Sequence, residues 1–211
     1  MIILFDLDGT LIDSTEAILE SFGIAFKTFN QTPPSDEKIK KLVGLPLDIM
    51  FSKLGVEDRK KWDYVTAYKQ HYRKISTQKT VLLPFAKESV KKASQIATLG
   101  IVTTKTSKYS TELMKHFELL DYFKVLIGRE DVENPKPHPE PILKALEKLN
   151  YKKGESAFMI GDTCLDSVSA KKGGIVAIGV SEGYGSLEEL ENCSDFVVKN
   201  CLEAVEKICK I

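Results

Sequence analysis

What this 211-residue chain has little of narrows its class before any motif is read. It has no hydrophobic stretch long enough to cross a bilayer. The opening apolar run, Met1 to Phe5, is stopped by Asp6, far short of the roughly 20 residues that a helical span needs. No basic segment precedes that run, so the pattern of a secretory leader is missing; the expectation is a cytoplasmic protein without a membrane partner. An excess of either charge is also absent. Thirty Lys and Arg balance thirty Asp and Glu, so nothing favours nucleic acid, and an anionic ligand has to be held by local charges. Cysteine is sparse: Cys164, Cys193, Cys201 and Cys209 contain no Cys-x-x-Cys pair. That spacing argues against zinc and against a disulfide framework, and predicts four reduced, ordinary residues. Internal repeats and low-complexity segments are missing too. The 43% hydrophobic content is enough for one ordinary domain and a smaller one. Neutral net charge leaves monomer and homodimer equally open.

What is there begins at the first residues. Met1-Ile2-Ile3-Leu4-Phe5 is an apolar run that empties into Asp6-Leu7-Asp8-Gly9-Thr10. Such a run suits a strand buried on both faces of a parallel sheet. Asp6 and Asp8 then lie at its carboxyl end, where open α/β sheets bind ligands. Two carboxylates one residue apart can hold a hard cation and leave one acid free for attack, and Gly9 lets the backbone approach a ligand.

After Thr10 the strand pattern stops. Ser14 is placed to cap a helix through Phe26, and residues 14–80 read as helical without strands, ending in a long amphipathic helix from Glu57 to about Ser76 that carries Trp62, Tyr64, Val65, Tyr68 and Tyr72. From Pro84 onward strands and helices alternate, which predicts a parallel sheet with right-handed crossovers. The fold class read from this order is α/β, a Rossmann-like sheet interrupted by an insertion. Residues 1–13 and 81–211 form the expected core and 14–80 a helical cap.

Three further polar clusters fall at or near strand ends: Thr103-Thr104-Lys105, Asn134-Pro135-Lys136-Pro137-His138-Pro139 and Gly161-Asp162-Thr163-Cys164-Leu165-Asp166. Each has an ordinary reading alone. Asp-x-Asp-Gly occurs in turns and calcium loops, a lysine among prolines is commonly solvated, a strand-end threonine bonds its own backbone, and Asp162 suits a helix N-cap. Their conjunction, in the order Asp-x-Asp, Thr, Lys, Gly-Asp, points to a catalytic site.

In that order the clusters resemble the four motifs of the haloacid dehalogenase superfamily, in its phosphatase branch, and Gly183-Tyr184-Gly185 is similar to members related to phosphoglycolate phosphatase. The resemblance implies that Asp6 is the nucleophile and Asp8 the general acid and base. It implies that Thr103 and Lys136 stabilise phosphoryl oxygens, and that Mg2+ is held by Asp6, the Asp8 carbonyl and Asp162, with Asp166 acting behind them. Gly9, Thr10, Thr104 and Gly44 are then the expected substrate contacts. Thr104 stands where this branch usually has Asn. The implied partner is a small phosphorylated metabolite, 2-phosphoglycolate first, with a pyrophosphatase or a nucleotide or sugar phosphatase as alternatives. A phospho-acceptor signalling module is the rival from another class, opposed by Asp8 and by the cap. A silent relative used for binding is opposed by the presence of every motif residue.

Overall fold

The computed structural model describes residues 1–211, which divide into two compact units, Met1–Asp13 with Leu82–Ile211, and Ser14–Val81. In the first unit six parallel strands form one sheet: β1 (Ile2–Phe5), β4 (Thr98–Val102), β5 (Phe123–Ile127), β6 (Ala157–Gly161), β7 (Val176–Val180) and β8 (Phe196–Val198), in the order β5-β4-β1-β6-β7-β8. The chain builds outward from β1 to β5 on one side and then restarts at β6 on the other. The order therefore reverses between β1 and β6, and in doubly wound sheets that switch point opens the ligand crevice.

The period of two along β1 explains its burial on both faces. Ile3 and Phe5 join Ala86, Val90, Leu113, Met114, Val205 and Ile208 from α5 (Ala86–Ser94), α6 (Ser107–His116) and α10 (Cys201–Ile208). Ile2 and Leu4 point the other way, to Ile142, Ala145, Leu146 and Ala170 of α7 (Glu140–Lys148) and α8 (Cys164–Lys172). The helix α9 (Leu187–Cys193) lies between β7 and β8 in the chain.

The second unit has four helices: α1 (Thr15–Thr28), α2 (Asp36–Lys40), α3 (Leu47–Lys53) and α4 (Lys61–Ile75). Ile18, Phe22, Ala25 and Phe26 recur at helical spacing on α1 and are all buried. Phe22 meets Phe51 of α3 at 4.6 Å and Tyr68 of α4 at 5.0 Å between ring centroids, and Tyr64 packs edge-on to Phe26 at 5.2 Å. Trp62, on the same amphipathic helix, is exposed.

Several local expectations change. Ile12–Asp13 and Val81–Leu82 form a two-stranded sheet, β2 and β3, in stretches that lack the residue count of a readable strand. Ser14 occupies the N-cap of α1 but its side chain does not cap the helix, and α4 starts at Lys61 rather than Glu57. Thr163, not Asp162, caps α8, exchanging bonds with Asp166 in a capping box. Two cysteines expected to be free are bonded: Cys164 and Cys193 form a disulfide across 29 residues, with Cα atoms 5.7 Å apart. Folding brings the first turn of α8 to the end of α9, and the spacing of cysteines in the chain carries no sign of that approach.

Candidate active site

The register of the central strands assembles the site. Phe5 pairs with Ile160 and with Ile101, so β1, β6 and β4 end together. The Asp6 N–H donates to the Ile160 carbonyl at 2.9 Å. Asp6 and Asp162 thus emerge side by side at the switch point, with Thr103 following the flanking strand. All three are buried.

Lys136 arrives from the loop before α7, through a cis bond to Pro137, and is also buried. Its Nζ lies 3.1 Å from Asp6 Oδ2, donates to the Val102 carbonyl at 3.1 Å, and pairs closely with Asp166 Oδ1. Asp166 is held from its other oxygen by the Thr163 N–H at 3.1 Å and the Thr163 hydroxyl at 2.8 Å. It therefore orients Lys136 while being oriented itself. Asp162 is gripped likewise: the Thr10 hydroxyl donates to Oδ1 at 3.0 Å and the Tyr184 N–H to Oδ2 at 2.8 Å.

Against this network one atom stands out. Asp6 Oδ1 is buried and has no hydrogen-bond partner. A buried carboxylate oxygen left unsatisfied is costly unless something else binds it. Burial raises the Asp6 carboxyl to about 7; the Lys136 ammonium opposes that shift, and the Asp166 carboxylate adds to it. Burial also pushes Asp162 well above the usual carboxylate range, aided by Asp166 and Asp6. Burial alone would push Lys136 down, but Asp166 and Asp6 outweigh it and hold the ammonium above its ordinary range. Asp6, Asp162 and Asp166 can each offer one oxygen within 4.8 Å of the others. Three crowded acids with one lysine, and an orphaned oxygen among them, fit a hard cation with oxygen ligands.

The loop after β1 is fixed by its own contacts. Gly9 has φ of +78°, and a methyl there would overlap the Asp162 carboxylate and the Tyr184 ring, so the position requires glycine. Its N–H donates to the Ile12 carbonyl at 2.9 Å, and the Thr10 N–H donates to Leu7 at 3.1 Å. Together with the Thr10 hydroxyl, these groups hold the loop and Asp162. Gly9 and Thr10, expected as substrate contacts, also shape the site. Thr104 is half-buried beside Thr103. Gly44 belongs to the helical unit, in the turn between α2 and α3 with φ of +101°.

Two features escaped the sequence reading. Lys105 Nζ lies 2.9 Å from Asp8 Oδ2, with both side chains largely buried, so the second acid has its own cation. Gly183 and Tyr184 pack against Asp162, where a side chain at 183 would overlap its Cβ. The paired glycines around Tyr184 were the available signal of close backbone approach. Of the unpaired cysteines, Cys201 is buried and its thiol donates to the Thr10 carbonyl at 3.0 Å.

Comparison with known proteins agrees with this arrangement. The pyrophosphatase PpaX of Bacillus cereus is 33% identical over 183 residues, 85% of this chain and 82% of that protein. Among solved structures, the haloacid dehalogenase-like family hydrolase SP0104 of Streptococcus pneumoniae superposes with a TM-score of 0.87 at 28% identity, covering 98% of this chain and 97% of that one. A Haemophilus somnus structure described as a predicted phosphoglycolate phosphatase superposes at 0.88 with 20% identity, over 98% and 97%, and shares the fold. The family model for haloacid dehalogenase-like hydrolases matches residues 3–180. The sheet order, the acids at its switch point and this match together make the chain a member of the haloacid dehalogenase-like hydrolases, of the phosphatase kind.

Proposed function

We propose that this phosphatase hydrolyses a small phosphorylated metabolite in two steps through an aspartyl-phosphate on Asp6, with Mg2+ as the cation. The observation that carries the reading is the Asp6 carboxylate: one oxygen is held by Lys136 and the other is buried without a partner at the end of the central strand. A nucleophile needs one oxygen fixed and one free to attack.

In the first step the Asp6 carboxylate attacks phosphorus in line, and the oxygen that leaves takes a proton from Asp8. In the second, Asp8 takes a proton from the water that attacks the aspartyl-phosphate, and phosphate departs. Lys105 Nζ, 2.9 Å from Asp8 Oδ2, keeps that carboxyl oriented for both transfers. Lys136 offsets charge on the phosphoryl oxygens and on Asp6, while Thr103 donates a hydroxyl to the same oxygens. Asp6, Asp162 and the Asp8 carbonyl would hold Mg2+, and Asp166 would keep Lys136 in place. When bound, the ion supplies Lewis-acid stabilisation of the phosphoryl charge and permits Asp6 and Asp162 to be ionised together.

Identity to a protein named as a pyrophosphatase moves inorganic pyrophosphate ahead of 2-phosphoglycolate as the substrate. Both carry a second anionic group beside the transferred phosphoryl. The test is phosphate release from pyrophosphate, 2-phosphoglycolate, nucleoside monophosphates and sugar phosphates, with Mg2+ and with a chelator. A cation-dependent kcat/KM led by pyrophosphate supports the reading, and a different leader replaces the substrate. A stable phosphorylated chain that does not turn over would replace the enzyme by a phospho-acceptor.

A further inference from the structure

The bond between Cys164 and Cys193 has no part in the chemistry above, yet it brackets the acid at the switch point. Cys164 is the first residue of α8, two positions after Asp162, and it lies within the capping box that Thr163 and Asp166 form. Cys193 is the last residue of α9. Between them the chain passes through β7 and a turn that grips Asp162: Tyr184 donates its N–H to Oδ2, and Gly183 packs against the Asp162 Cβ. The disulfide therefore ties the helix end that presents Asp162 and Asp166 to the helix that follows the gripping turn. Cys164 and Cys193 are only partly buried, so a small reagent can reach the bond, whereas Cys201 is sealed in the core.

We propose that Cys164 and Cys193 form a reversible thiol–disulfide modification site, which sets how firmly the Asp162 turn is held and with it the affinity of the acidic cluster for a divalent cation. The proposal rests on the reading of Asp6 and Asp162 as cation ligands. The co-reactant is a low-molecular-weight disulfide. One protein thiolate attacks it, forming a mixed disulfide and releasing one small thiol; the second protein thiolate then displaces the other small thiol and closes the protein bond. Two electrons and two protons pass from the cysteine pair to the reagent, and a dithiol reverses the step. In the bonded form the segment from 164 to 193 samples fewer open conformations, so the Tyr184 amide stays on Asp162 for more of the time.

The test uses the full chain, oxidised with glutathione disulfide or reduced with dithiothreitol. Peptide mapping by mass spectrometry should find a 164–193 crosslink only after oxidation, with Cys201 and Cys209 uncrosslinked. Without metal, the oxidised form should melt about 5–10 °C higher and exchange the Tyr184 amide more slowly. Calorimetric titration with Mg2+ should show about tenfold tighter binding to the oxidised form, the low end for groups that orient metal ligands. Cys193→Ser should match the reduced wild-type chain under both conditions. Failure to crosslink 164 to 193 overturns the proposal, as does equal Mg2+ affinity in the two forms, which would leave the bond a structural staple. Exchange, melting and Mg2+ binding need no turnover. Loss of the hydrolytic reading alone would leave these redox differences in place, and they would still support the modification site.

Discussion

The two units bury opposite kinds of group. The helical unit closes over rings: Phe22, Phe26, Phe51, Tyr64, Tyr68 and Tyr72 are all buried. Its cation Lys79 stays outside, paired at 2.6 Å with both Glu16 and Glu20. The core unit places Asp6, Asp162, Asp166 and Lys136 where water does not reach. Charges on a surface cost little and contribute little, whereas crowded carboxylates in a dry site oppose one another and are retained for what they bind. The helical unit's buried groups thus favour its stability, whereas those at the strand ends carry a cost.

The sharpest way to break this contrast is Asp6→Asn. Turnover should fall at least about 10⁴-fold with the circular dichroism unchanged, since the amide keeps the shape and loses the nucleophile; turnover near wild type would remove Asp6 from that role. Lys136→Met comes next. It leaves Asp6 and Asp166 buried without their cation, and should lower kcat by about 10²-fold and stability by about 3–5 kcal/mol, read from single-turnover rates and urea melts. Phe51→Ala tests the other side of the contrast. Phe51 is fully buried against Phe22, Tyr64 and Tyr68, so the urea midpoint should drop by the equivalent of about 3–5 kcal/mol, with no loss of chemistry in the fraction that stays folded.

A smaller effect concerns pH. The Asp6 carboxyl is raised in the folded chain from 3.8 to about 7, so between those values the native state binds the extra proton. Stability of the metal-free protein should then be greatest on the acid side of this window and fall as pH rises through it. Urea midpoints at pH 5 and pH 8 should show that fall in the wild-type chain and a shallower one in Asp6→Asn. A rise toward pH 8 in both would contradict the burial argument. The smallest effect is at the surface: Lys79→Ala should barely move the melting point, and high salt should abolish even that difference.

Much of the site was legible because its chemistry is local in the chain. Asp6 and Asp8 follow an apolar strand, and Asp162 follows another, so their places at strand ends came from hydrophobic pattern alone. Lys136 was found through its position in a motif order, not through any property of the loop it occupies. Less is legible where a backbone group has a structural use as well. The types of Gly9 and Thr10 suit ligand contacts, but do not show that their amides close the loop on Ile12 and Leu7. Lys105 was seen as the end of a strand, since nothing in one dimension shows that it reaches Asp8.

Continuous apolar runs alternating with helical periods, by themselves, determined that this chain forms a parallel sheet with a helical insertion, because burial on two faces and on one helix face leave different patterns. The residue types at the strand ends determined the class of chemistry. Only the tertiary structure decided which acids crowd together and which are held by lysines, because these depend on register between strands far apart in sequence. It alone joined Cys164 to Cys193, since a bond across 29 residues depends on how α8 and α9 pack and not on spacing in the chain.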